Sequence, residues 1–174
     1  MNLALTTYTA AGVSFSVILT LVFFYVVPAL QKMSLAESLT LFLWPSVFRF
    51  VALEIIPETA FGGVTAPPEV MTQIALGDTL SGLLAFAAIW AIRFRARYAL
   101  LFTWIAVVFG TLDIANGLVT SLSVNLAGNV SGVSWMLLVL FFPLVIISSA
   151  MLIWQLVSRR SEGLNDKDSA TVLA

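Results

Sequence analysis

Apolar residues run along this chain in five long stretches, at 11–30, 37–56, 70–92, 99–120 and 133–157, separated by short polar or Gly/Pro-containing segments. Each approaches or exceeds the roughly 20 residues that carry a helix across the hydrocarbon core of a bilayer. The pattern predicts an all-α integral membrane bundle of five transmembrane helices within residues 1–160, with a polar tail, 161–174, expected to be disordered. Local signals fit these spans. Ser34-Leu35-Ala36-Glu37 has capping-box spacing ahead of the second stretch. Pro67, Pro68 and Glu69 stand where a helix start tolerates a missing N–H and favours an acid. Gly62-Gly63 and Gly128-Asn129 read as turns. Pro45 and Pro143 fall inside the second and fifth stretches and predict kinks.

Basic residues add an orientation. Lys32, Arg93, Arg95, Arg97, Arg159, Arg160 and Lys167 all fall after the first, third or fifth span, and only Arg49, of the eight Lys and Arg, lies inside one. Because Lys and Arg concentrate on the cytoplasmic side, the expected topology is N-out, C-in. The N-terminal Met1-Asn2-Leu3-Ala4-Leu5 lacks the basic region of a secretory signal, so the first span is expected to be retained.

Composition narrows the chemistry. The chain is 60% hydrophobic and 10% charged, which fits lipid rather than water as its main solvent. It has no His and no Cys, the usual ligands of zinc, haem and iron–sulfur centres, so no cofactor is expected. A net charge of −1 offers no basic surface for nucleic acid. Membrane lipids are the expected surroundings, and five short spans without an internal repeat suit a homo-oligomer if the protein is a carrier.

The candidate chemistry is a buried ionisable layer. Arg49, Asp78 and Asp113 each lie about seven or eight residues from the outward end of their spans, roughly 11 Å deep at 1.5 Å per residue. Ionisable groups at such depth are costly and tend to face the bundle interior. On the fourth span Gly110, Asp113, Asn116, Gly117 and Thr120 fall within about 120° of arc, and on the third Asp78, Ser81, Gly82 and Ala85 form a similar stripe. Gly77, Gly82, Gly110 and Gly117 are read as helix-packing positions. Glu54 stands near the outer end of the second span. One Arg against three carboxylates leaves −2 in a poorly solvated layer, to be balanced by a proton or an incoming cation. The competing structural reading is an ion pair that fixes which helix packs on which.

Val47-Phe48-Arg49-Phe50-Val51-Ala52-Leu53, Gly77-Asp78 and Gly110-Thr111-Leu112-Asp113-Ile114-Ala115-Asn116-Gly117 together resemble a pattern in small, uncharacterised bacterial multi-pass membrane proteins. The resemblance implies a bacterial inner-membrane setting and supplies no reaction. Ala75-Leu76-Gly77-Asp78 lacks the first glycine of the intramembrane aspartyl-protease motif. The expectation is therefore a pocket enclosed by spans two, three and four, open outward, that binds a small polar or cationic ligand or a lipid headgroup. Arg49 would anchor an anionic group, Asp78 and Asp113 would hold a cation or exchange a proton, Asn116 would orient the ligand, and Glu54 would stand at the rim. The alternatives are a membrane-embedded enzyme using an Asp as general acid or base, a proton- or cation-coupled carrier, and a non-catalytic accessory subunit.

Overall fold

The computed structural model describes residues 2–56, 63–162 and 164. Gly62 of the expected turn and nearly all of the tail lie outside them. The described residues form five helices long and apolar enough to cross a membrane: α1 (Leu3–Leu30), α2 (Leu35–Ile55), α3 (Pro68–Arg93), α4 (Ala99–Ser123) and α5 (Gly132–Ser158). They are compatible with a multi-pass membrane protein.

The ends of α2 to α5 lie close to those predicted, but α1 starts at Leu3 rather than at residue 11. Asn2 caps it through Oδ1, which accepts from the Ala4 amide. Three threonines that lower the hydropathy here are absorbed by the helix itself. The hydroxyls of Thr6, Thr7 and Thr9 donate to the carbonyls of Asn2, Leu3 and Leu5, four residues back. At the start of α2 the capping box is complete, since Ser34 Oγ accepts from the Glu37 amide and Glu37 Oε2 accepts from the Ser34 amide.

Each proline inside a span coincides with a change of helical pitch. A π-helical turn, Val22–Val26, precedes Pro28, and another, Leu137–Phe141, precedes Pro143. Pro has no N–H to give and its ring presses on the carbonyl four residues back, so the helix widens ahead of it. Pro45 acts differently. The α-helix runs through it to Val47, and Phe48–Ile55 then continues as a 3-10 helix. This is long for that geometry, and it decides which side chains share a face.

Leu39, Phe42 and Leu43 of α2 pack with Ala85, Ala88 and Ile89 of α3, Ala106 and Val107 of α4, and Leu152 and Leu156 of α5 to form the main core. Helix α1 reaches this core only at its C-terminal end, through Leu30 with Val26 packed beside it. Only 6% of its most apolar window is buried, against at least 28% in each other span, and it rests chiefly on α5 and on the short turn Leu126–Gly128. The two connections at the N-terminal end of the bundle pair with each other. The Thr65 amide donates to the Asn129 carbonyl (2.9 Å) and the Ser131 amide to the Gly63 carbonyl (2.7 Å), around an isolated antiparallel bridge between Val64 and Val130. Asn125 (φ 49) and Gly132 (φ 59) supply the left-handed turns that bring the chain into α5.

At the opposite, basic end, Arg159 clasps three segments. It donates to the Met33 carbonyl at 3.0 Å and to Ser38 Oγ and Gln155 Oε1 at 3.3 Å, and it pairs with Glu162 at 2.5 Å.

Candidate ligand-binding site

The 3-10 segment of α2 repeats every three residues, so Arg49, Ala52 and Ile55 line up on one face. All three line a cavity of about 250 Å³ in the N-terminal half of the bundle. An α-helical continuation would have rotated them apart by 60° per step. Met71, Ile74 and Asp78 of α3 form the next wall, followed by Ile114, Gly117, Leu118, Ser121 and Leu122 of α4. Thr7, Tyr8 and Ala11 of α1 and Ser134, Leu137, Leu138 and Phe141 of α5 close the circuit. The paired connections contribute Val64, Leu126, Ala127 and Val130 as a roof. Arg49 and Asp78 are the lining positions of α2 and α3 farthest from that roof. The cavity thus has apolar walls and a charged floor. All five spans enclose it, rather than the second, third and fourth alone, and its walls are less polar than the sequence stripes suggest.

At the floor, the Arg49 guanidinium is 4% exposed and ties three helices together. Its Nε donates to Asp78 Oδ1 (2.7 Å), its Nη2 lies 2.5 Å from the same oxygen and also pairs with Asp113 Oδ2, and its Nη1 donates to the Gly110 carbonyl (3.2 Å). Ser81 Oγ donates to Asp113 Oδ2 as well (3.2 Å). Arg49 therefore spends its donors on the protein's own acceptors rather than presenting a free fork to an anion.

The two carboxylates differ. Asp113 is held by Arg49 and Ser81, lies against Gly77, and is not part of the cavity wall. Asp78 lines the cavity, its side chain is 23% exposed, and Oδ1 takes both contacts from Arg49. Its Oδ2 has no hydrogen-bond partner among the described residues. With both acids ionised the triad carries +1 − 2 = −1, and Asp78 is where that excess meets open space.

The glycines sort by what surrounds them. A Cβ on Gly77 would run into Asp113 Oδ1, and one on Gly82 would come within 2.8 Å of the Val47 carbonyl oxygen. Gly110 lies close to Arg49, with 3.4 Å between a built Cβ and Nη1. Gly117 has nothing within 4 Å of its Cβ position. It is a cavity wall rather than a packing position.

Asn116 is exposed on α4, turned away from the cavity that Gly117 lines. Glu54 stands apart from the triad, accepting from Ser134 Oγ at 3.1 and 3.0 Å in the first turn of α5, where the helix dipole favours a carboxylate. Sequence reasoning missed Thr7 and Trp135, whose Nε1 donates to Thr7 Oγ1 (3.0 Å) and fastens α1 to α5 beside the cavity. Among the described residues no three His, Cys, Asp or Glu side chains converge as metal ligands.

A sequence-family model covers residues 7–157, which reaches from the second turn of α1 to the last turn of α5 and includes the whole charged floor. The chain belongs to the family described as Domain of unknown function (DUF8737). No curated protein and no solved structure matches the chain.

Proposed function

We propose that this protein is a binding protein of the bacterial inner membrane, oriented N-out and C-in, whose outward half receives a small cationic ligand or the cationic headgroup of a lipid. One observation carries the reading. A carboxylate with an unengaged oxygen, Asp78 Oδ2, stands at the floor of a largely apolar cavity, beside an Arg whose charge is already matched by Asp113. A single such oxygen among apolar walls suits an organic ammonium group better than a metal ion, which asks for several oxygen ligands at once. Glu54, bound to Ser134, is a secondary acid at the α5 side. The apolar layer of Leu39, Phe42, Leu43, Ile89, Val107 and Leu152 lies between this floor and the basic end, which favours binding over passage through the bundle.

Thermal unfolding of the detergent-purified protein tests the reading. The ligands are ammonium ions of increasing size, from tetramethylammonium to decyltrimethylammonium, compared with acetate and decanoate at equal ionic strength. A bound ion at a hundred times its Kd adds about 2.7 kcal/mol of stability. Stabilisation by ammonium compounds that disappears in Asp78→Asn is expected. Stabilisation by the carboxylates alone, or an effect equal in Asp78→Asn, overturns the proposal.

A further inference from the structure

The cavity is closed above by the paired connections, where Val130 is 2% and Leu126 8% exposed, and below by the buried triad and the core. Its side toward α1 and α4 is different. Tyr8, Leu118 and Leu122 all line it and yet are 50%, 43% and 56% exposed. Lining residues that are half open to the outside mark the mouth of a cavity, and this one lies between the outer parts of two helices long and apolar enough to cross a membrane. Helix α1, which forms one edge of the mouth, is also the span least held by the bundle.

We infer that the cavity takes a single-chain cationic amphiphile directly from the bilayer, entering sideways between α1 and α4, with its head on Asp78 and its chain along the apolar walls. This rests on the cationic reading above and names the class of ligand and its route. The head finds the unengaged oxygen of Asp78, and the chain exchanges lipid contacts for Leu137, Phe141 and Ile114. Among the described residues the roof is tied by the bonds between 63–65 and 129–131, which leaves the side between α1 and α4 as the more open approach. The volume of about 250 Å³ lies just under the roughly 300–1,000 Å³ of small-molecule pockets and suits one chain rather than a two-chain lipid.

The test uses the full chain in phosphatidylcholine nanodiscs and measures saturable binding of labelled decyltrimethylammonium above that of empty discs, with tetramethylammonium as the chainless probe. Decyltrimethylammonium should bind one to one and at least tenfold more tightly than tetramethylammonium. Asp78→Asn should weaken it at least tenfold. Gly117→Leu, which leaves the triad intact and fills space where nothing lies within 4 Å, should do the same. The chain has no native cysteine, so a Tyr8→Cys/Leu122→Cys pair joined by a bis-methanethiosulfonate linker addresses the mouth cleanly. Linking should slow association at least tenfold, and a reductant should restore it. Equal affinities for the two ammonium probes, or association unaffected by the linker, overturn the membrane-borne ligand while Asp78-dependent cation binding survives. Binding that ignores Asp78→Asn in both probes overturns the cationic reading itself.

Discussion

Gly77 and Asp113 occupy one space: the Oδ1 atom of Asp113 sits where a Cβ on residue 77 would have to be. The glycine next to Asp78 therefore serves the other aspartate, letting α4 bring its carboxylate against α3 while Arg49 holds it from α2. Gly77→Ala is expected to displace that carboxylate and to cost about 1–3 kcal/mol, the usual penalty for overpacking. Gly117→Ala, on the cavity wall of α4 with nothing within 4 Å, should be neutral or slightly stabilising, since Ala is the better helix former by up to about 1 kcal/mol. Reversible unfolding in mixed micelles measures both, and equal effects would refute the assignment of Gly77 to packing against Asp113.

The basic end of the bundle makes the proposed orientation testable. Lys32, Arg93, Arg95, Arg97, Arg159 and Arg160 flank the same ends of the helices, opposite the paired connections. Reporter fusions after Ala174 are expected to read cytoplasmic, and an insertion at Gly63 to read periplasmic. The reverse result would place the cavity in the inner half and remove the outward-facing ligand site with it.

Much of this architecture is written in hydropathy, because a span must be apolar over its whole length whatever it packs against. The relation among Arg49, Asp78 and Asp113 is similarly legible, since depth is a count along each helix and charges at one depth seek each other. Direction around a helix is less so. Asn116 is 60° from Asp113 on an ideal wheel, near enough to read as one stripe, yet the cavity lies on the Gly117 side and leaves Asn116 exposed. The 3-10 register of Arg49, Ala52 and Ile55 was not legible either. Pro45 announces a disturbance, but nothing in its own span says whether it becomes a kink or a tightened helix, and the close approach of Gly82 on α3 to the Val47 carbonyl is a contact between distant parts of the chain. The cavity itself is a gap left by five packed helices, and no periodicity in any one of them encodes it. Arg159 reads in sequence only as an orientation signal, because its partners Met33 and Ser38 are more than a hundred residues away.

That clasp has a pH signature. Hydrogen bonds from Arg159 hold the Glu162 carboxyl below the ordinary glutamate range, with the charge of Arg159 adding to the effect. A carboxyl depressed in the folded state contributes stability above its unfolded value and loses it as pH falls through the folded value. The clasp should therefore hold at neutral pH and loosen only below the ordinary glutamate range. Carboxyl-carbon NMR of Glu162 is expected to show a titration that moves up toward the ordinary value in Arg159→Ala. An unchanged midpoint would mean that Arg159 does not hold Glu162. Because both groups are partly exposed, little change in overall stability is expected.

The triad itself allows a sharper experiment, because two acids share one base. Replacing either Asp alone by Asn leaves Arg49 with one ionised partner, so each single variant should lose only a charged hydrogen bond, about 1.5–3 kcal/mol. Replacing both leaves a 4%-exposed guanidinium facing the Gly110 carbonyl and two neutral amides, and a buried charge without a counter-ion costs about 3–5 kcal/mol. The double variant is thus expected to be less stable than the sum of the singles, with a coupling on the order of 1–3 kcal/mol between positions 78 and 113. Adding Arg49→Met to the double variant should restore part of the loss, because it removes the stranded charge. Ligand binding separates the two acids in a way stability does not. Asp78 faces the cavity and Asp113 does not, so cation binding should fall further in Asp78→Asn than in Asp113→Asn even where their unfolding midpoints agree. Additive stabilities together with equal binding losses would show that the two carboxylates act as separate, equivalent sites, contrary to the asymmetry of the floor.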